Sequence, residues 1–258
     1  MRTKLVIGNW KMHGSFADNE VLLTALVAQV KGLAGVTVGV CPPFIYLPQA
    51  QSLLRGTGIE WGAQNLSQRR NGAYTGEVSG QMLTDFGCRY VIVGHSERRA
   101  LYGEDDAVVA DKFIAAANAA LTPVLCVGET LEERQAGSTE DVIARQLDAV
   151  VYSAGIASFA GAVIAYEPVW AIGTGQTATP EEAQAVHHFI RNRLKGHDRS
   201  IAEQLLILYG GSVKVANAAQ LCTLPDVDGG LVGGASLSAD EFASICRNAV
   251  PTHISGVQ

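Results

Sequence analysis

The chain has 258 residues, enough for one large domain or two small ones. With 48% apolar and 17% charged residues it can bury a sizeable core, which excludes a disordered chain. Nineteen basic against 25 acidic residues give a net charge of −6, and no Lys/Arg run offers a footprint for a phosphate backbone, so nucleic acid is excluded as the main partner.

Taken in chain order, the apolar run Lys4 to Trp10 predicts a first strand, and Leu22, Leu23, Leu26, Val27 and Val30 follow with the period of a helix. Strands are then predicted at Val36 to Cys41 and Ile59 to Gln64. The 15-residue connection Asn65 to Ser79 carries little pattern of its own, which is long for a loop between such elements and points to a function. Further strands are expected at Tyr90 to His95 and Pro123 to Val127, and a helix on Ile143, Leu147, Val150 and Val151. The uncharged stretch Ala149 to Tyr166 is broken by Ser153, Gly155, Ser158 and Gly161, so it reads as a helix end, a turn and a strand at Ala162 to Glu167, not as a membrane span. Thr179 with Glu182, and Ser238 with Glu241, have capping-box spacing, and Pro180 suits a first helical position. Leu205 to Gly210 and Asp228 to Gly233 complete eight strands.

Several of these strands are apolar at nearly every position, as a parallel strand covered on both faces must be. No linker divides the chain, so the expectation is a single α/β domain over residues 1–258. Two architectures use the alternation, a closed (β/α)8 barrel and an open doubly wound sheet. Eight units in about 250 residues is the barrel's size. The open sheet's glycine fingerprint is missing after the first strand, where Gly8-Asn9-Trp10-Lys11 stands. The string Gly173 to Ala178 comes late and lacks the acidic residue that holds a ribose, and no Gly-Lys dipeptide exists for a Walker motif. The barrel is therefore expected.

Five widely spaced cysteines without a CxxC pair build neither a disulfide framework nor a zinc knuckle, and fit a reducing cytoplasm. Leu5 to Ile7 is too short for the core of a signal peptide. His187 and His188, adjacent on a predicted helix, point in different directions and make no zinc pair, so neither metal nor cofactor is expected.

In a barrel the active site lies at the carboxyl ends of the strands. Those ends carry Asn9 and Lys11, His95-Ser96-Glu97, Glu167, Gly210-Gly211-Ser212 and Gly233-Gly234. A lysine, a histidine and a carboxylate on one rim beside glycine-rich turns suit proton movement next to a phosphate. Each also has a plainer reading: Glu167 as a rim glutamate in an ion pair, His95 as a satisfied hydrogen-bonding residue, Glu97 as a helix-start glutamate complementing the dipole. Cys126 reads as a packing residue that sits near Glu167. Gly210, Gly211, Gly229 and Gly230 read as turn glycines.

The strings Gly8-Asn9-Trp10-Lys11-Met12, Gly94-His95-Ser96-Glu97-Arg98-Arg99, Ala165 to Gly175 (AYEPVWAIGTG), Tyr209-Gly210-Gly211-Ser212-Val213 and Gly229 to Ala235 (GGLVGGA) resemble, in order and over essentially the whole chain, the triosephosphate isomerase family. The resemblance implies a TIM barrel and an aldose-ketose isomerase of glycolysis and gluconeogenesis, acting on dihydroxyacetone phosphate and D-glyceraldehyde 3-phosphate through an enediolate, without cofactor or metal. It implies Glu167 as base, neutral His95 with Lys11 and Asn9 at the developing oxyanion, and Glu97 beside Lys11. Gly173, Ser212, Gly233 and Gly234 match phosphate positions, and Pro168 to Ala178 matches a lid carrying Trp170. It further implies a homodimer in which the loop tip near Thr75 enters a pocket beside the partner's Lys11 and His95. The chain departs from common patterns of the family at His13, Gln176 and Arg69-Arg70-Asn71, none of them a proposed catalytic position. Two other readings stay open: another phosphate-binding barrel isomerase, and a catalytically dead barrel kept as a sensor or adhesion protein.

Overall fold

A computed structural model of the chain describes residues 2–173 and 176–250. Its eight strands, β1 (Lys4–Asn9), β2 (Val36–Cys41), β3 (Glu60–Ala63), β4 (Tyr90–Val93), β5 (Thr122–Val127), β6 (Val163–Tyr166), β7 (Leu206–Tyr209) and β8 (Gly229–Val232), pair in sequence order. All pairings are parallel, and β8 returns to β1 with Leu5 opposite Gly229 and Gly8 opposite Val232. The expected (β/α)8 barrel is thus the observed one.

The strands are covered on both faces, which explains their apolar runs. Leu5, Ile7, Ile92, Val124, Cys126, Ala165, Leu208 and Leu231 fill the barrel interior. Val6, Val91, Val93, Leu125, Ile164 and Ile207 face outward into a second core shared with the helices. Among the described residues these are α1 (Phe16–Val30), α2 (Leu47–Leu54), α3 (Gly80–Asp85), α4 (Ser96–Tyr102), α5 (Asp106–Asn118), α6 (Leu131–Gln135), α7 (Thr139–Ala154), α8 (Pro180–Lys195), α9 (Arg199–Gln204), α10 (Val215–Thr223) and α11 (Ala239–Ala249). The expected faces are the buried ones: Leu23, Leu26 and Val30 on α1, and Ile143, Leu147, Val150 and Val151 on α7. Thr179 and Glu182 form the full capping box of α8, with Pro180 in its first turn. Ser238 Oγ accepts the Glu241 N–H at 3.4 Å, the forward half of the second box.

The uncharged stretch resolves as expected into the end of α7, a 3-10 turn at Ile156–Gly161 and β6. No helix among the described residues is long and apolar enough to cross a membrane. The expected strand Asp228 to Gly233 is β8, and Gly229 and Gly230, which also read as turn glycines, stand inside it and not in a turn. Gly229 holds φ +143°, and a Cβ there would stand 1.8 Å from the Leu5 carbonyl oxygen, so the closure of β8 on β1 admits no side chain.

The end of the barrel opposite the site is tied by charge. Arg191 donates from Nε to Asp226 at 2.6 Å and from Nη2 to Asp228 at 2.7 Å, and Lys4 Nζ donates to the Val227 carbonyl. His187 and His188 do diverge: His187 is buried, with Nδ1 on the Asp226 carbonyl and its pKa pushed down to about 4 by burial, whereas the exposed His188 reaches the Asp226 carboxylate. Both reach Asp226, and the His187 ring also packs against Tyr166 and Tyr209.

Candidate active site

Asn9 ends β1 itself, whereas β4, β6, β7 and β8 stop one or two residues before His95, Glu167, Gly210 and Gly233, so those groups stand at the start of the loops above the barrel. There Asn9, Lys11, His95, Glu167, Gly173, Ser212, Gly233 and Gly234 line one cavity of about 440 Å³. Glu97 lies just outside it and reaches in through Lys11, whose Nζ donates to Glu97 Oε1 at 2.6 Å. All the expected site residues except Thr75 are therefore in one place. Thr75 stands at the exposed tip of the Asn65 to Ser79 connection.

Lys11 has a left-handed backbone, φ +52°, uncommon for a residue with a side chain. Two amides hold it there. Asn9 Oδ1 accepts the Lys11 N–H at 3.0 Å, and Gln64 Nε2 donates to the carbonyls of both Lys11 and Cys41 at 2.8 Å. With Oδ1 so engaged, Asn9 has its NH2 group left to offer a ligand.

His95 caps α4. Its Nδ1 accepts the backbone N–H of Glu97 at 3.2 Å, which leaves Nε2 as the ring nitrogen that faces the cavity. Nε2 lies 3.1 Å from Glu167 Oε1, and Glu167 Oε2 accepts the Ser96 N–H at 3.0 Å. Burial pushes the Glu97 carboxyl up, but the Lys11 hydrogen bond, the largest of several opposing effects, helps to hold the group below the usual carboxylate range.

Glu167 is 2% exposed and follows β6 directly, its N–H bonded to the Val127 carbonyl at 2.8 Å. Glycines clear its flanks. A Cβ on Gly128 would stand 1.8 Å from the Glu167 carbonyl oxygen, and one on Gly210 would stand 2.9 Å from its Cγ. Cys126 sits inside the barrel next to Glu167, and burial first, then the Glu167 charge, push its thiol well up, which keeps it a neutral packing group. After Glu167 the chain enters a 3-10 turn, Val169–Ala171, where Trp170 Nε1 donates to Glu129 Oε1 at 2.9 Å. Further on, the Ala178 N–H donates to the Tyr209 hydroxyl at 3.2 Å. Thr174 and Gly175, part of the expected lid, lie outside the described residues.

Sequence reasoning missed several residues. His13, Ile172, Leu231, Lys214 and Glu241 also line the cavity, and Gln64 and Glu129 act from behind it. Leu231 sits within a GGLVGGA string that already drew notice for its glycines, whereas Gln64 and Glu129 carry no local signal.

The chain matches the family model described as triosephosphate isomerase over residues 4–249. It is 65% identical over 249 residues to a protein of Thiobacillus denitrificans named triosephosphate isomerase, covering 96% of this chain and 99% of the relative. Proteins of the same name from Nitrosomonas eutropha and Cupriavidus necator are 60% and 55% identical, each over 95% of this chain and 97% and 99% of the relative. A barrel of this register, a site of this composition and matches of this extent agree: the chain belongs to the triosephosphate isomerase family.

Proposed function

We propose that the protein interconverts dihydroxyacetone phosphate and D-glyceraldehyde 3-phosphate through an enediolate. The observation that carries the reading is the approach of Glu167 Oε1 to His95 Nε2, 3.1 Å apart on one cavity wall, with His95 Nδ1 taken up by the Glu97 N–H. A substrate placed there meets a carboxylate base and a proton donor together. Glu167 removes a proton from the carbon next to the carbonyl, and the electron pair moves onto the carbonyl oxygen. His95 Nε2–H, the Lys11 ammonium and the Asn9 amide stabilise the negative charge that develops. Glu167 then returns its proton to the neighbouring carbon while the hydroxyl proton passes between the two oxygens, which balances the isomerisation without a net gain or loss of atoms.

The phosphate is assigned to Gly173, Ser212, Gly233 and Gly234, which line the same cavity and, for the glycines, bring no Cβ between backbone N–H and anion. The segment Pro168 to Ala178 serves as its cover, excluding water that would weaken each electrostatic contact and protecting an intermediate prone to lose phosphate. A coupled assay with glyceraldehyde 3-phosphate tests the reading. Turnover is expected, and phosphoglycolate, which mimics the charged planar intermediate, should inhibit far below the substrate KM. An inactive protein that does not bind phosphoglycolate overturns it.

The same reading includes a homodimer in the cytoplasm. A second cavity of about 370 Å³ lies beside the first, lined by Lys11, Met12, Gln64, His95, Glu97 and Tyr102 among others. Met12 is 93% exposed, Leu101 73% and Tyr102 69%, an apolar rim that asks for cover. The exposed Thr75 loop of a second copy is the occupant proposed for it. Sedimentation should find a dimer at micromolar concentration, and a fully active monomer there would refute the assignment. The cysteines among the described residues are all buried and free, which suits a reducing compartment.

A further inference from the structure

Arg134, on α6, lies outside the cavity and outside every role assigned so far. Its guanidinium sits 4.5 Å from the centroid of the Trp170 ring. Nη1 is 3.4 Å from Glu129 Oε1, the oxygen that also accepts the Trp170 indole N–H and the Tyr166 hydroxyl. Nη2 pairs with Glu182 Oε1, while the other oxygen of that carboxylate accepts the Thr179 N–H and caps α8. One cation therefore touches the aromatic ring three residues after Glu167 and the first turn of the helix that ends the same segment. Glu129 is fully buried, and its Oε2 has no hydrogen-bond partner among the described residues. A buried carboxylate so placed needs a compensating charge, and Arg134 is the cation paired with it.

A guanidinium suits this position because it is planar: it stacks on an indole with its face while its edge bonds two carboxylates, which an ammonium cannot do. We propose that Arg134 is a positioning residue for the reaction, clamping Trp170 and the start of α8 so that the turn Val169–Ala171 that follows Glu167 keeps one position. This rests on the isomerase reading, in which Glu167 is the base. A base displaced by a fraction of an ångström still binds substrate but transfers its proton less often, so the clamp acts on kcat more than on KM.

The test compares the parent with Arg134→Ala, Arg134→Lys and Glu182→Gln, with 5-fluorotryptophan incorporated and the Trp170 resonance assigned by its loss in Trp170→Phe. Arg134→Ala is expected to lower kcat about tenfold with KM changed less than about threefold, and to shift the Trp170 fluorine signal. Arg134→Lys keeps the charge and should restore the thermal midpoint without restoring kcat, and Glu182→Gln should fall between parent and Arg134→Ala. A lowered midpoint in Arg134→Ala with parent kcat and an unmoved Trp170 resonance overturns the proposal. Should Arg134→Ala fail to fold, parent kcat and resonance in Arg134→Lys do the same. A parent without isomerase activity counts against the catalytic reading alone, because the fluorine signal still decides whether Arg134 holds Trp170 in place.

Discussion

Replacing Glu167 with glutamine is expected to lower kcat by about 10³-fold or more while the protein stays folded. The carboxylate is buried, with Oε2 on the Ser96 N–H and Oε1 facing His95 Nε2. Glutamine has the same shape and keeps an oxygen for one of those contacts. Its amide, however, has no lone pair basic enough to take a proton from carbon. The structural cost is at most one poorly matched polar contact, about 1–3 kcal/mol, so a circular-dichroism melt should move by only a few degrees. The coupled assay and phosphoglycolate binding separate the effects: binding survives in weakened form and turnover is lost. Activity within tenfold of the parent would remove Glu167 from the role of base.

Lys11→Met should reduce kcat/KM by about 10²- to 10³-fold. Methionine replaces the length of the side chain but not its charge, and Glu167 and Glu241 then line the cavity with Glu97 close behind and Lys214 as the cation left to face a dianionic ester. The substitution also has a signature independent of catalysis. Because Lys11 holds the Glu97 carboxyl down against the upward push of burial, its removal lets that group protonate at higher pH than in the parent, which carbon NMR of the glutamate carboxyls can follow. A kcat/KM within threefold of the parent would show that Lys11 lends no charge to the transition state.

The barrel was legible because a strand packed on both faces writes its burial into nearly every residue, as in β6, where the helix-facing Ile164 stands between the interior Val163 and Ala165. Several strand ends ran one or two residues long because the residues that leave the ladder, such as Gln64 after β3 or His95 after β4, follow apolar runs closely. Helices of five or six residues, α3, α6 and α9, are too short to show a period. Gly229 was misread for a different reason. The side-chain clearance it needs is set by the Leu5 backbone, which is far away in sequence. The touching groups of the site were legible as motifs, whereas those that hold them were not: Gln64 reaches Lys11 across 53 residues and Arg134 reaches Glu182 across 48.

The clearance around Glu167 bears on any attempt to retarget this barrel. With Gly128 and Gly210 pressed against its backbone and its stem, Glu167 stands in a slot whose walls cannot be diversified without moving its carboxylate. Libraries aimed at larger sugars should leave those two codons untouched and draw their variation from Ile172, Leu231, Ala235 and His13, which line the same cavity without a clearance of this kind to Glu167.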